Sequence, residues 1–347
     1  MCKCIAGDSC TLPQQLQHVS SGIAVCQSSE TVLFPVKTDC AYHPMSSLPF
    51  RAEFEPRYGE SVAVDENIQR ITVPNKGPFT FHGTNTYLVG GREVMVIDPG
   101  PEEDNGHYDA ILKAVRGRTV SHVIVTHTHM DHSPLARRLA RETGAPLYGE
   151  GPHRPARDLH LGEINALDAS GDKEFEPEIT LSHGDVIEGD GFALEAVFTP
   201  GHTVNHMAFA LKNTPFLFSG DHVMAWATSI VAPPDGNMVQ YMQSLETLLE
   251  LPQTVYLPGH GGRLNRAHEF VRGLRAQRRM RETAVLHRIR AGDETIPEMV
   301  SVIYKETDKR LHGAAALSVF AHIEDLLHQG RVLCDATPSL TARYYPA

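Results

Sequence analysis

Several protein classes are excluded by what the sequence lacks. It has no run of about 18 apolar residues, so no membrane-spanning helix is expected. The first residues lack the apolar core of a secretory leader, because Ile5, Ala6 and Leu12 are scattered among polar neighbours. Cysteine is missing where a disulfide framework would need it. Cys2, Cys4, Cys10, Cys26 and Cys40 crowd the first 40 residues, and only Cys334 lies beyond. These absences predict a cytoplasmic location. Cys2, Cys4 and Cys10 do not complete a tetrahedral zinc set, and residues 1–50 read as a poorly ordered extension. Positive charge is in deficit too. With 31 Lys+Arg against 42 Asp+Glu the net charge is −11, which weighs against a protein that coats nucleic acid.

What is present describes a globular protein with a sizeable core: 347 residues, 41% hydrophobic and 21% charged. At roughly 150 residues per domain the length predicts about two domains. The composition stands out in one respect. It holds 20 His, roughly double the ordinary share, and that excess calls for a chemical cause.

From about Arg51 the pattern becomes regular. Short β segments are expected at Ile71–Val73, Thr86–Val89, Val94–Ile97, Val120–Val125, Phe192–Phe198, His206–Leu211, Pro215–Phe218 and Thr254–Leu257. Helices are expected at Tyr108–Val115, at Ser133–Arg141 with Ser133 as N-cap, and at Val239–Leu251. The polar, Pro-containing stretch Gly151–Pro177 reads as a surface loop or lid. Strands without strict βαβ alternation point to two sheets with helices outside, over residues 51–263. Residues 264–347 change character. A long helix is predicted over Leu264–Ala291, then a capping box Thr295-Ile-Pro-Glu298 opening a helix to about Tyr304. A helix Ala314–Gln329 and a short strand Arg331–Leu333 complete a compact module.

The chemistry is carried by His127-Thr-His129-Met-Asp131-His132, directly after the strand Val120–Val125. Alternate positions of an extended segment point the same way, so His127 and His129 can hold one metal, while Asp131 and His132 turn toward a second. Imidazole and carboxylate together suit zinc and its transition-series neighbours. Three further pieces each place one donor past a strand end beside glycine: Thr199-Pro-Gly-His202, Ser219-Gly-Asp221 and Pro258-Gly-His260. A lone Gly-His is usually a turn and a lone Gly-Asp a solvated cap. The ordered set of four motifs is what signifies.

With these motifs in this order the sequence resembles the metallo-β-lactamase superfamily, in particular the hydroxyacylglutathione-hydrolase-like and lactamase-beta-like 2 group. The resemblance implies an α+β fold, an αββα sandwich followed by a small helical winged-helix domain. It implies that His127, His129 and His202 bind one metal, that Asp131, His132 and His260 bind another, and that Asp221 bridges them. The implied cofactor is two Zn2+ per chain; iron and manganese suit the same donors. No Cys stands near position 221 and no Glu at position 129, as other branches of the superfamily would have, and no large domain is inserted between the motifs. Gly83–Val89 and Val96–Gly100 resemble the family's opening strand pair, and Ala314–Gly330 resembles the winged-helix tail. The resemblance spans roughly residues 55–335. The tail differs from that of glyoxalase II, which leaves glutathione thioesters in doubt.

The implied activity is hydrolysis by a metal-bridging hydroxide, with Asp131 orienting it or passing a proton. A small thioester or ester is the first expected substrate. Single-stranded RNA cleavage comes second, and a lactonase or β-lactam-type amide hydrolase third. A non-enzymatic binding protein on a decayed fold is the remaining reading, with a complete donor set against it. Among other residues, Asp98 is either an acceptor behind a ligand ring or a turn before Pro99. His206 is expected to be buried and hydrogen-bonded rather than a ligand. His222 is a candidate pocket residue, and Trp226, Thr228 and Tyr241 lie in the stretch that should pass over the site. Arg263–Arg290 holds nine Arg against Glu269 and Glu282. It is either a surface for RNA or another anion, or, more economically, a helix paired with the acidic body. The expected partners are a small-molecule substrate and RNA, with no membrane. The oligomeric state is not encoded legibly.

Overall fold

The computed structural model describes residues 48–160, 163, 165 and 167–347. The Cys-rich extension up to residue 47 lies outside the described residues, as do four positions of the expected lid (161, 162, 164 and 166). Packing begins earlier than the sequence pattern indicated. Leu48 is buried in the core, Phe50 meets Phe270 edge-on at 5.9 Å, and the Arg51 N–H donates to Ala225 O.

Two sheets face each other. The first has seven strands in sequence order: β1 (Val62–Asp65), β2 (Ile68–Thr72), β3 (Asn85–Val89), β4 (Glu93–Ile97), β5 (Thr119–Ile124), β6 (Leu147–Gly149) and β7 (Ile179–Thr180). The second runs β13-β12-β11-β10-β9-β8, built from β8 (Val186–Glu188), β9 (Ala193–Phe198), β10 (Met207–Leu211), β11 (Phe216–Gly220), β12 (Val255–Pro258) and β13 (Leu264–Asn265). Pairing is antiparallel from β1 to β4 and parallel from β4 to β7. In the second sheet only β11 and β12 are parallel.

Three of the four parallel connections carry an α-helix, and the lid makes the fourth, from β6 to β7. Helix α1 (Asn105–Ala114) joins β4 to β5, α2 (Pro134–Thr143) joins β5 to β6, and α3 (Met238–Glu250) joins β11 to β12. Three apolar layers follow. Tyr108, Ile111, Leu135 and Leu139 pack on Leu88, Val96 and Val123. Met95, Ile97 and Ile124 of the first sheet meet Leu194, Phe209 and Phe218 of the second. Tyr241, Leu245 and Leu248 pack on Val197, Ala208 and Leu217. The order is helix, sheet, sheet, helix.

Helix α4 (Ala267–Arg290) starts later than expected, because Leu264–Asn265 pairs with β12 and closes the second sheet. The second sheet therefore runs past residue 263. The first half of α4 inserts Phe270, Val271 and Leu274 into the core between the second sheet and α3, and its second half gives Val285, Leu286 and Ile289 to a separate C-terminal core. That core is completed by α5 (Ile296–Ile303), α6 (His312–His328) and the hairpin β14 (Val332–Cys334) with β15 (Tyr344–Pro346). At the α5 start Glu298 accepts from the Thr295 N–H and hydroxyl, as the capping box predicted. Ser133 precedes α2 but does not cap it. Its hydroxyl donates to Asp172 Oδ2 at 2.8 Å instead.

Candidate metal centre

The four motifs converge where strands of both sheets end. Residues 127–132 follow β5, His202 follows β9, Asp221 follows β11 and His260 follows β12. Three groups have donor atoms mutually within 4.8 Å: His127 with His129 and His202, His127 with His132 and Asp221, and Asp131 with His132 and His260. In one half, His129 Nδ1 lies 3.0 Å from His127 Nε2 and 3.1 Å from His202 Nε2. In the other, His132 Nε2 and His260 Nε2 are 3.4 Å apart, and Asp131 Oδ2 lies 3.3 and 3.4 Å from them. Asp221 reaches both halves. Its carboxylate oxygens stand 3.1 Å from His260 Nε2, 3.6 Å from His132 Nε2 and 3.8 Å from His202 Nε2.

The outer nitrogens show which way the rings are protonated. His132 Nδ1 meets Asp98 Oδ2 at 2.9 Å, His202 Nδ1 meets Ile230 O at 2.7 Å, and His260 Nδ1 meets Gly83 O at 3.2 Å. Carbonyl oxygens only accept, and so does a carboxylate, so each of these nitrogens donates. The Thr126 hydroxyl donates to Asp98 Oδ2, which leaves its oxygen to accept from His127 Nδ1 at 3.0 Å. Four rings thus turn bare Nε2 lone pairs inward when neutral. The buried Asp221 Oδ1 has no hydrogen-bond partner. Converging lone pairs and an unpaired carboxylate oxygen are mutually repulsive unless a cation lies among them, so this donor set fits a pair of metal ions.

Electrostatics divide the centre. Burial, with neighbouring rings adding to it, pushes His127 far below the ordinary imidazole range and His129 down to about 3. His202 is lowered as well, chiefly by burial. That half is therefore neutral and ready to donate. At His132 and His260 burial also opposes charge, but Asp131 and Asp221 outweigh it and raise both. Burial in turn disfavours the charged carboxylates, yet the two imidazoles hold Asp131 and Asp221 below the usual range.

Glycine is required where the strand ends approach most closely. A Cβ at Gly259 would come 2.4 Å from Asp221 Oδ1 and 2.7 Å from His132 Cε1. Behind the donors, the Asp221 N–H donates to His206 Nε2 at 3.1 Å, and the opposite nitrogen of that ring meets Thr199 Oγ1 at 2.9 Å. His206 is thus the buried, hydrogen-bonded residue expected.

The metallo-beta-lactamase superfamily pattern matches residues 79–260, over half of the chain. The chain belongs to the metallo-beta-lactamase superfamily. A beta-lactamase associated winged helix domain matches residues 295–337. Among relatives, a beta-lactamase-like protein 2 homolog of Drosophila melanogaster is 30% identical over 275 residues, covering 77% of this chain and 89% of the relative. An atrochrysone carboxyl ACP thioesterase of Aspergillus fumigatus is 27% identical over 238 residues, covering 67% of each. In fold, the chain is similar to a beta-lactamase domain protein from Burkholderia ambifaria, with TM-score 0.71 at 22% identity over 85% of this chain and 96% of that one.

Within this superfamily fold the remaining candidates separate. Asp98 sits behind a ring, accepting from His132 Nδ1, the Thr126 N–H and the Thr126 hydroxyl. His222 does not line a pocket. It is fully buried against Tyr241, ring centroids 4.4 Å apart, and neither ring nitrogen has a partner. Tyr241 is core, its hydroxyl donating to His222 O. Trp226 stacks on Phe81 at 4.7 Å and, with Thr228, lines a cleft beside the centre. The sequence pattern gave no role to Thr84, whose hydroxyl donates to Asp131 Oδ2 at 2.7 Å. Its position beside Gly83, at the start of β3, was the available signal.

The lid lies along the first motif. The Met130 N–H donates to Ser170 O, the Asp172 N–H to Thr128 O, and His153 Nδ1 meets Thr128 Oγ1 at 3.0 Å. Arg157 joins Glu163 in the lid to Glu324 on α6. Of the nine Arg in residues 263–290, four form ion pairs among the described residues, fewer with the body of two sheets than expected. Glu246 of α3 takes Arg275 and Arg279, while Arg266 pairs with Glu269 and Arg288 with Asp293.

Proposed function

We propose that the protein is a dinuclear zinc-dependent hydrolase of small thioesters or esters. The convergence of all seven donors, with the bare nitrogens turned inward, supports this reading most directly. Similarity to a relative named as a thioesterase supports the substrate class. His127, His129 and His202 would hold one ion, Asp131, His132 and His260 the other, with Asp221 available to both. Zinc so held supplies Lewis acidity toward the scissile carbonyl and brings the pKa of water toward neutrality.

The chain's own residues set the approach. Five donors are buried, whereas His129 is half-buried and the Asp131 side chain is 25% exposed, so substrate reaches the centre on the His129–Asp131 side. Asp131 can orient water and take up its proton at Oδ1, because Oδ2 is held by Thr84. Asp131→Asn is expected to weaken the second ion by at least about 10-fold and, when reloaded with excess zinc, to turn over about 10^2-fold more slowly or worse. Wild-type turnover in a fully loaded variant would remove that role.

Asp98 is expected to act through the rings. Asp98→Ala should weaken metal binding by roughly 10–100-fold in a chelator competition. An unchanged competition curve would detach Asp98 from the centre. Single-stranded RNA ranks second, because the ion pairs of Arg266, Arg275, Arg279 and Arg288 leave less cationic surface for a phosphate backbone. The deciding experiment is a panel of thioester, ester, lactone and single-stranded RNA substrates with zinc-loaded protein. Thioester or ester turnover that stops on chelation is expected. RNA cleavage with inert thioesters and esters would overturn the proposal.

A further inference from the structure

A second recess lies beside the metal centre, outside the donor set. It is a cleft of about 300 Å3 between the chain that follows Asp221 and the helices of the C-terminal module. One wall is Met224, Trp226 and Ile230, the other Tyr304, Leu311 and Ala315. Phe79 and Leu311, at 48% and 37% exposure, leave large apolar surface open along it. The near wall is shared with the metal centre, for Ile230 O accepts from His202 Nδ1 and the Ser229 hydroxyl donates to Asp221 O.

Two guanidinium groups also line the cleft. Arg278 is 6% exposed. It donates to Ser229 O and to Ser318 Oγ, and its Nε has no partner. Arg281 lies 4.0 Å over the Tyr304 ring and donates to Ile303 O. Neither forms an ion pair among the described residues; of the other Arg on the helix, Arg275, Arg279 and Arg288 do and Arg272 and Arg290 do not, but only Arg278 and Arg281 line the cleft. Their field is felt nearby. His322, buried with both ring nitrogens unpartnered, is pushed down to about 3 by burial, with Arg278 and Arg281 adding to it. Buried cations without counter-charge are costly, and a guanidinium pair suits a carboxylate or phosphate.

We infer that this cleft binds an apolar molecule ending in an anionic group, carboxylate or phosphate, seated at Arg278 and Arg281. On the hydrolase reading above, that molecule is the non-reacting part of the substrate. The apolar walls take its body, and the shared 226–230 wall brings it alongside the donors.

Trp226 is the single tryptophan of the chain and lines the cleft, so all tryptophan emission arises at this wall, and the chelated series separates cleft from metal centre. The experiment titrates zinc-loaded protein with octanoate, octyl phosphate and octanamide, and repeats the octanoate series on chelated protein. Saturable changes are expected with both anions, about tenfold tighter than with octanamide, and persisting without metal. The relative affinity of octanoate and octyl phosphate identifies which anionic group is preferred. Arg281→Gln, at a half-buried position, should bring the anions down to octanamide affinity while octanamide binding is retained, which shows the cleft intact. Arg278→Gln should do the same if it folds.

Equal binding of octanoate and octanamide overturns the inference, as does a preference that survives Arg281→Gln, or octanoate binding lost on chelation. A Trp226 response to single-stranded RNA but not to octanoate also overturns it. Failed thioester and ester hydrolysis with these binding results intact removes the metal-centre reading and leaves the subsite. Normal hydrolysis without anion preference removes the subsite and leaves the metal centre.

Discussion

Zinc-loaded protein carrying Asp221→Ala is expected to lose more than about 10^2-fold in hydrolysis and to fall from two bound ions toward one. Removing a group one hydrogen bond behind a metal ligand already costs 10–100-fold, and Asp221 stands within 4 Å of imidazoles in both halves. The His127, His129 and His202 rings are neutral by virtue of their surroundings and keep three inward nitrogens, so the first ion should persist. At the other half, loss of a carboxylate leaves the inward nitrogens of His132 and His260 with Asp131, while Asp98 stays behind His132. Metal analysis of the purified variant, together with steady-state kinetics, checks both parts. Two retained ions with an undiminished rate would show that Asp221 does not bridge the centre.

The largest expected effect on stability lies at Gly83. Its φ is +131°, and an added Cβ would sit 1.8 Å from Val73 O, a backbone atom that cannot swing aside. Gly83→Ala should cost at least about 3 kcal/mol, from the left-handed backbone and the collision together. The carbonyl of Gly83 itself receives His260 Nδ1–H, so metal affinity should fall as well. Gly117 supplies the comparison. It too has positive φ, +77°, but open space where the Cβ would go. Gly117→Ala should cost only about 1–2 kcal/mol and leave the metal untouched. Urea midpoints at constant slope measure the difference. Equal losses in the two variants would show that the close approach at Gly83 is not what holds the turn.

The donors were legible because each follows a strand readable by its β-branched or aromatic residues, and each of the three later ones is flagged by glycine. The parallel connections through α1, α2 and α3 were legible from helical spacing. What escaped was short or distant. The two- and three-residue strands β6, β7 and β8 are too brief to show alternation, and Leu264–Asn265 is held as a strand by β12 rather than by its own residues. Ser133 looked like a cap, but Asp172, which takes its hydroxyl, comes from the lid. Asp98 was divided between turn and support because its partners Thr126 and His132 come from another segment. Arg278 and Arg281 read as two of nine like charges, and only the packing of α4 against the C-terminal helices sets them apart.

The join between the sheets bears on the order in which the molecule can form. Thr84 and His260 make a backbone bridge, the Asn85 N–H donates to Gly259 O, and the Asn85 amide reaches Gly261 O, all across about half the length of the chain. Contacts between such distant stretches carry a high loop-closure cost and assemble late. A chain emerging from synthesis would display His127, His129, Asp131 and His132 long before His260 existed to join them. That donor-rich segment therefore waits, open, for the residue that completes it.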